Sequence, residues 1–192
     1  MDPLENIDQV LKMIGNSIDD VSRCEYDLLN IDQDFVSRFP DYANPDISKE
    51  AKEILTRIKE STKLFRKRTY IRTVFSYFEG IIFAMKRILM QHSENFKSKD
   101  LEKLNDTKKI SLDDNLKYTF KKYCELRTNY FYIDFNCSEW SKFKECIVIR
   151  NKITHPKHSD DLCVKDEDLE KVKDAYEWFF NTLVDIQNHE IH

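Results

Sequence analysis

The stretch Ile71-Arg-Thr-Val-Phe-Ser-Tyr-Phe-Glu-Gly-Ile-Ile-Phe-Ala-Met-Lys-Arg-Ile-Leu89 decides the fold class. Its apolar residues Ile71, Val74, Phe75, Phe78, Ile81, Ile82, Met85, Ile88 and Leu89 recur at spacings of three and four, the period of a helix with one buried side. Gly80 lies inside this seam. A glycine there costs about 1 kcal/mol relative to alanine, so its presence predicts a close backbone contact.

The same period extends outward in both directions. Leu4, Ile7, Val10, Leu11, Ile14, Ile18 and Val21 predict a first amphipathic helix reaching about residue 29. Pro40 and Asn44-Pro45 mark a turn, and Asp46 is a candidate N-cap for a second helix carrying Ile47, Ala51, Ile54, Leu55 and Ile58. Residues 92–110 are polar and lysine-rich, and read as a loop or a weak helix. Ser111-Leu-Asp-Asp114 resembles a capping box and precedes Leu116, Phe120 and Tyr123 on one face. The aromatic run 129–135 fits either an extended segment or a packed loop. Ser138 is the expected cap of a helix with the stripe Trp140, Phe143, Ile147, Arg150 and Thr154. A last helix from about Asp166 buries Leu169, Val172, Tyr176, Phe179, Leu183 and Ile186, with acidic residues in its first turn as the helix dipole prefers. The expected architecture is an all-α antiparallel helical bundle over residues 46–192, with an N-terminal helical appendage over 1–45.

Composition agrees. The chain has 192 residues, 41% hydrophobic and 12% aromatic, enough to fill a core and too much for general disorder. Two glycines and four prolines are too few for a many-turned β-sandwich or a glycine-rich nucleotide loop. No apolar run is long enough to cross a membrane, and the start MDPLENIDQV has neither the basic nor the apolar region of a secretion signal. The five cysteines are scattered with no CxxC pair, which points to a reduced, cytoplasmic protein without a zinc ribbon.

A net charge of −4 argues against nonspecific coating of nucleic acid, and DNA is not an expected partner. The charge is unevenly spread. Residues 1–34 carry nine acidic side chains against two basic ones. Residues 57–72 carry seven basic against one acidic, and residues 140–158 five against one. Two basic zones on an acidic chain suggest a localised anion site, over which the acidic segment could fold as an autoinhibitor.

The chemistry-bearing segment is Ile149-Arg-Asn-Lys-Ile-Thr-His-Pro-Lys157. Arg150 shares the inward stripe of Phe143 and Ile147, where an always-charged guanidinium needs a carboxylate, a phosphate or a water-filled cleft. Glu79, on the edge of the seam helix, is the candidate carboxylate. Pro156 disfavours helical geometry at His155, so the helix should stop near Thr154 with His155 at its exit. An arginine and a histidine with no metal-ligand set suit attack of an RNA 2′-hydroxyl on the adjacent phosphate. A neutral imidazole takes the proton and a guanidinium stabilises the pentacoordinate charge. Two proton transfers are required and this segment offers one such histidine, so a twofold homodimer would complete the site. Lys152, Lys157 and Arg72 are the expected RNA or phosphate contacts. His155, His158 and Cys163 lie close in sequence, but the intervening proline and the missing fourth ligand speak against a metal, and no cofactor is expected.

The run Arg150-Asn151-x-x-x-His155 resembles the Rx4–6H motif of the HEPN superfamily, in which a polar residue commonly follows the arginine. The seam helix with Arg72 and Tyr77-Phe-Glu-Gly80, the motif helix ending in His-Pro and the closing amphipathic helix extend the resemblance over residues 65–188. It implies a HEPN-like bundle, usually a homodimer, whose arginine and histidine face the partner copy across a shared cleft. It implies metal-independent endoribonuclease activity leaving 2′,3′-cyclic phosphate ends, in a toxin–antitoxin or antiphage defence setting with an antitoxin or defence-system partner. By match, Arg150 would stabilise transition-state charge, Asn151 would orient, and His155 would act as base or acid. Some toxins of this type carry, two residues after the histidine, a tyrosine that a nucleotidyltransferase antitoxin modifies; this chain has Lys157 there. The alternative is a catalytically silent HEPN module that binds a nucleotide or a partner protein.

Overall fold

A computed structural model describes residues 3–105, 110–128 and 130–190. The chain is all-α. Seven helices are described: α1 (Pro3–Leu29), α2 (Ile31–Arg38), α3 (Lys49–Gln91), α4 (Ser98–Asn105), α5 (Leu112–Arg127), α6 (Ser138–Thr154) and α7 (Asp166–Asn188). Extended pairing among the described residues is limited to one isolated bridge between Thr128 and Glu190.

The second helix and the seam helix are one. With no proline between residues 46 and 155, nothing interrupts backbone pairing, and α3 runs for 43 residues, about 65 Å. It starts later than Asp46. Ser48 is the N-cap, its Oγ accepting from the Ala51 N–H at 3.2 Å, while the Asp46 N–H donates to Asn44 Oδ1. α6 differs similarly: Cys137 caps it, with Sγ accepting from the Trp140 N–H, so Ser138 is its first helical residue. Ser111 caps α5 as expected, accepting from the Asp114 N–H.

The core is aromatic and centres on Phe78 of α3, which is fully buried. Its ring meets Phe75 and Tyr77 of its own helix, Phe143 of α6, and Tyr176 and Phe179 of α7, with centroid distances between 4.5 and 6.5 Å. α6 and α7 are antiparallel, fastened by Lys171–Glu145 at 2.8 Å and Lys142–Asp174 at 3.4 Å. α3 and α7 run in the same direction, as Lys67–Asp166 and the Tyr77–Phe179 ring pair show.

The N-terminal helices lie on α3. Val21 is buried in the common core with Tyr70 and Ile71. Acidic residues of α2 meet the basic stretch of α3: Lys59 pairs with Asp32 at 2.8 Å and Arg66 with Asp34 at 3.0 Å. The Arg66 guanidinium also donates to the Asp27 carbonyl at the end of α1. The lysine holds the exposed Asp32 carboxyl below the usual carboxylate range. The side chains of Leu4, Ile7, Val10, Leu11 and Ile14 lie outside the described residues.

Gly80 does not mark a close approach: a Cβ built on it meets nothing within 4 Å. It therefore carries the conformational cost without a packing return. Gly80→Ala should stabilise the protein by about 0.5–1 kcal/mol, raising the thermal midpoint by about 1–4 °C in a melting experiment.

The run after α5 is a packed irregular segment. Phe131, Ile133 and Phe135 turn toward the core, with Phe131 stacked on His189 at 4.5 Å, while Tyr130 and Tyr132 point outward. Asn129 lies outside the described residues.

Candidate functional site

α6 ends at Thr154, with His155 as its C-cap and Pro156 barring a further turn. The chain then turns around Asp161, whose carboxylate accepts from the Lys157 and His158 backbone N–H groups at 2.8 and 3.0 Å. Those two donors hold the Asp161 carboxyl below its ordinary range. The imidazole of His155 is thus presented to solvent from a fixed corner rather than a loose loop.

Arg150 sits on the inward arc of α6, but one turn from its end, so its side chain keeps 24% exposure. Its Nη2 donates to Glu79 Oε1 on α3 at 2.5 Å and its Nη1 to Asn151 Oδ1 at 3.1 Å. The guanidinium plane is fixed by two acceptors on different elements. Glu79 is the carboxylate anticipated from the seam-helix edge. The pair is not sealed: Arg150 and Glu79 both line an open pocket of about 460 Å³ between α3, α5 and α6.

Arg72 reaches the end of the motif helix from α3. Its Nη2 donates to the Ile153 carbonyl at 3.1 Å, satisfying an acceptor in the last turn of α6. Arg72 therefore ties the motif helix to α3 beside His155. Lys152 and Lys157 are exposed on α6 and in the turn after it. The structure joins Arg150, Asn151 and Glu79 by direct contact and leaves the His155, Lys152 and Lys157 side chains facing solvent near the same helix end.

Of the described acidic residues of the N-terminal segment, Asp32 and Asp34 pair with the basic stretch of α3, and Glu25 meets Lys173 of α7 at 3.6 Å. Among the described residues, no three His, Cys, Asp or Glu side chains gather as a metal site. All five cysteines are free. Burial pushes the Cys146 thiol up to about 12 and Cys124 up to about 11, which leaves both as poor nucleophiles. No described helix is long and apolar enough to cross a membrane.

Four residues of the pocket escaped the sequence reading: Phe83, Lys86, Ile110 and Asn115. Lys86 was legible in principle, because it follows Glu79 by seven residues and shares its side of α3. Asn115 was not, since its position opposite Glu79 depends on how α5 crosses α3. No protein-family model, curated protein or solved structure matches the chain.

Proposed function

We propose that this protein is a metal-independent, HEPN-like endoribonuclease that acts in the cytoplasm as a toxin or defence effector. The observation that carries the reading is the doubly held Arg150. A guanidinium oriented by Glu79 and Asn151 at an open pocket, on a helix whose end five residues further on presents a solvent-facing imidazole, has the parts that RNA transesterification needs. Preorganised positive charge at the scissile phosphate stabilises the developing dianion without reorganisation during reaction. His155 removes the 2′-hydroxyl proton. A twofold partner supplies the second imidazole for the leaving oxygen, so the active species is a homodimer.

The test is direct. Wild-type protein incubated with mixed RNA in EDTA should cut it, leaving 2′,3′-cyclic phosphate ends. His155→Ala should keep the wild-type melting temperature, because the ring is exposed, and lose cleavage by about 10²–10⁴-fold. Intact RNA after prolonged incubation with purified dimer would refute the proposal.

A further inference from the structure

The basic stretch of α3 is covered by acid from its own chain. Residues 57–72 carry seven basic side chains and one acidic one. Two of the cations, Lys59 and Arg66, are seven residues apart, on one side of the helix and about 10 Å from each other along its axis. Asp32 and Asp34 of α2 sit on them, and the Asp27 carbonyl takes another N–H of the Arg66 guanidinium. The side chains of Lys59 and Arg66 keep 20% and 15% exposure, while Asp32 keeps 77% and Asp34 40%. The anions face water and the cations lie beneath them. A phosphate backbone crossing the same two residues would be arranged in the same way, with about three stacked nucleotides between the cations at ~3.4 Å each.

α2 is lightly held. It has eight residues and buries only Ile31 and Phe35. Asn30 alone joins it to α1, and residues 39–48 join it to α3. Ion pairs of this exposure add little to stability, because water solvates the separated partners well. What they decide is which anion occupies the two cations.

We propose that α2 is a built-in competitor of the RNA backbone. The face of α3 that carries Lys59 and Arg66 is a second RNA-binding surface, outside the candidate site, and a strand reaches it only by displacing the α2 carboxylates. The inference rests on the ribonuclease reading for the identity of the polyanion, and adds to it a regulated surface. Arg72, tied to the exit of α6, is thirteen residues from Lys59, about 20 Å along α3. A strand leaving the exit covers that distance with about six stacked nucleotides.

The experiment measures the affinity of the full chain for a labelled 2′-O-methyl oligoribonucleotide of about 12 nucleotides, long enough for that span. The probe cannot be cut through its 2′-oxygen, so binding is read apart from cleavage. Asp32→Asn combined with Asp34→Asn keeps the shape of both side chains and removes their charge. This variant should melt near the wild-type temperature. It should bind the probe about tenfold more tightly at low salt, and the slope of log K against log salt should steepen by about 1.4, as expected when two more cations meet a single strand. Adding Lys59→Gln should remove about half of the extra slope. Glu139→Gln combined with Glu177→Gln, in the hollow between α6 and α7, removes the same charge and should leave the slope as in wild type.

Equal affinity and equal slope in wild type and the Asp32→Asn, Asp34→Asn variant would overturn the proposal, as would an equal gain in the Glu139, Glu177 control. A poly-glutamate of the same length that binds the unmasked variant as tightly as the oligonucleotide assigns the surface to an acidic protein and overturns it as well. A gain in RNA affinity with no cleavage by either protein in EDTA keeps this inference and removes the nuclease; cleavage without the gain does the reverse.

Discussion

Arg150→Ala should reduce RNA cleavage by about 10²–10³-fold while the protein stays folded. The two halves of that outcome have separate physical causes. In the transition state the reacting phosphate gains negative charge, and a guanidinium already held by Glu79 and Asn151 meets that charge without rearranging. An alanine leaves water to do this work, and water must reorient. In the folded state the loss is small. Glu79 is 45% exposed, so its carboxylate is resolvated once its partner is gone, and a pair of this exposure contributes about 0–1 kcal/mol. Cleavage assays and thermal melts on the same preparation therefore discriminate. A purely structural arginine would lower the melting point and leave cleavage unchanged. Glu79→Gln should fall between wild type and Arg150→Ala in rate, because the amide still accepts one hydrogen bond but no longer fixes a charged pair.

Phe78→Ala should be the most damaging single change to stability. The ring is fully buried and touches aromatic side chains on α3, α6 and α7 at once. Removing it costs the transfer of a large apolar surface and leaves a cavity that three helices cannot close together, about 3–5 kcal/mol. Domains of this size are held by only about 5–15 kcal/mol in total, so the variant should show a markedly lower urea midpoint or fail to fold at all. A midpoint within experimental error of wild type would mean that the centre of the core lies elsewhere. The loss would reach the candidate site as well, because the same ring sets how α6 lies against α3, and hence whether Arg150 meets Glu79.

These two residues differ in how readable they were. Phe78 belongs to an unbroken three-four pattern, and such a pattern says which side of a helix is buried whatever it packs against. The same logic placed Arg150 on the inward arc of α6 and, with Pro156, stopped that helix at Thr154. Helix ends were less legible. Ser48 and Cys137 cap α3 and α6 rather than Asp46 and Ser138, because a cap depends on one backbone turn and several neighbouring residues can fill it. Gly80 misled for another reason: a glycine signals close packing only when something lies beside it, and nothing does.

What local pattern establishes here is an all-α chain, the buried side of each long helix, and an arginine and a histidine at the exit of α6. All of these follow from the helical period and from proline geometry, which act within a few residues. Tertiary packing brought Arg150 onto the Glu79 that the seam-helix edge suggested, and alone produced the tie from Arg72 to the Ile153 carbonyl, the seating of Val21 beside Tyr70, and the groove that brings Phe83, Lys86 and Asn115 together. Those contacts span up to 81 residues of chain. Their register is set by how the aromatic side chains of α3, α6 and α7 interlock, and no short window of sequence contains that information.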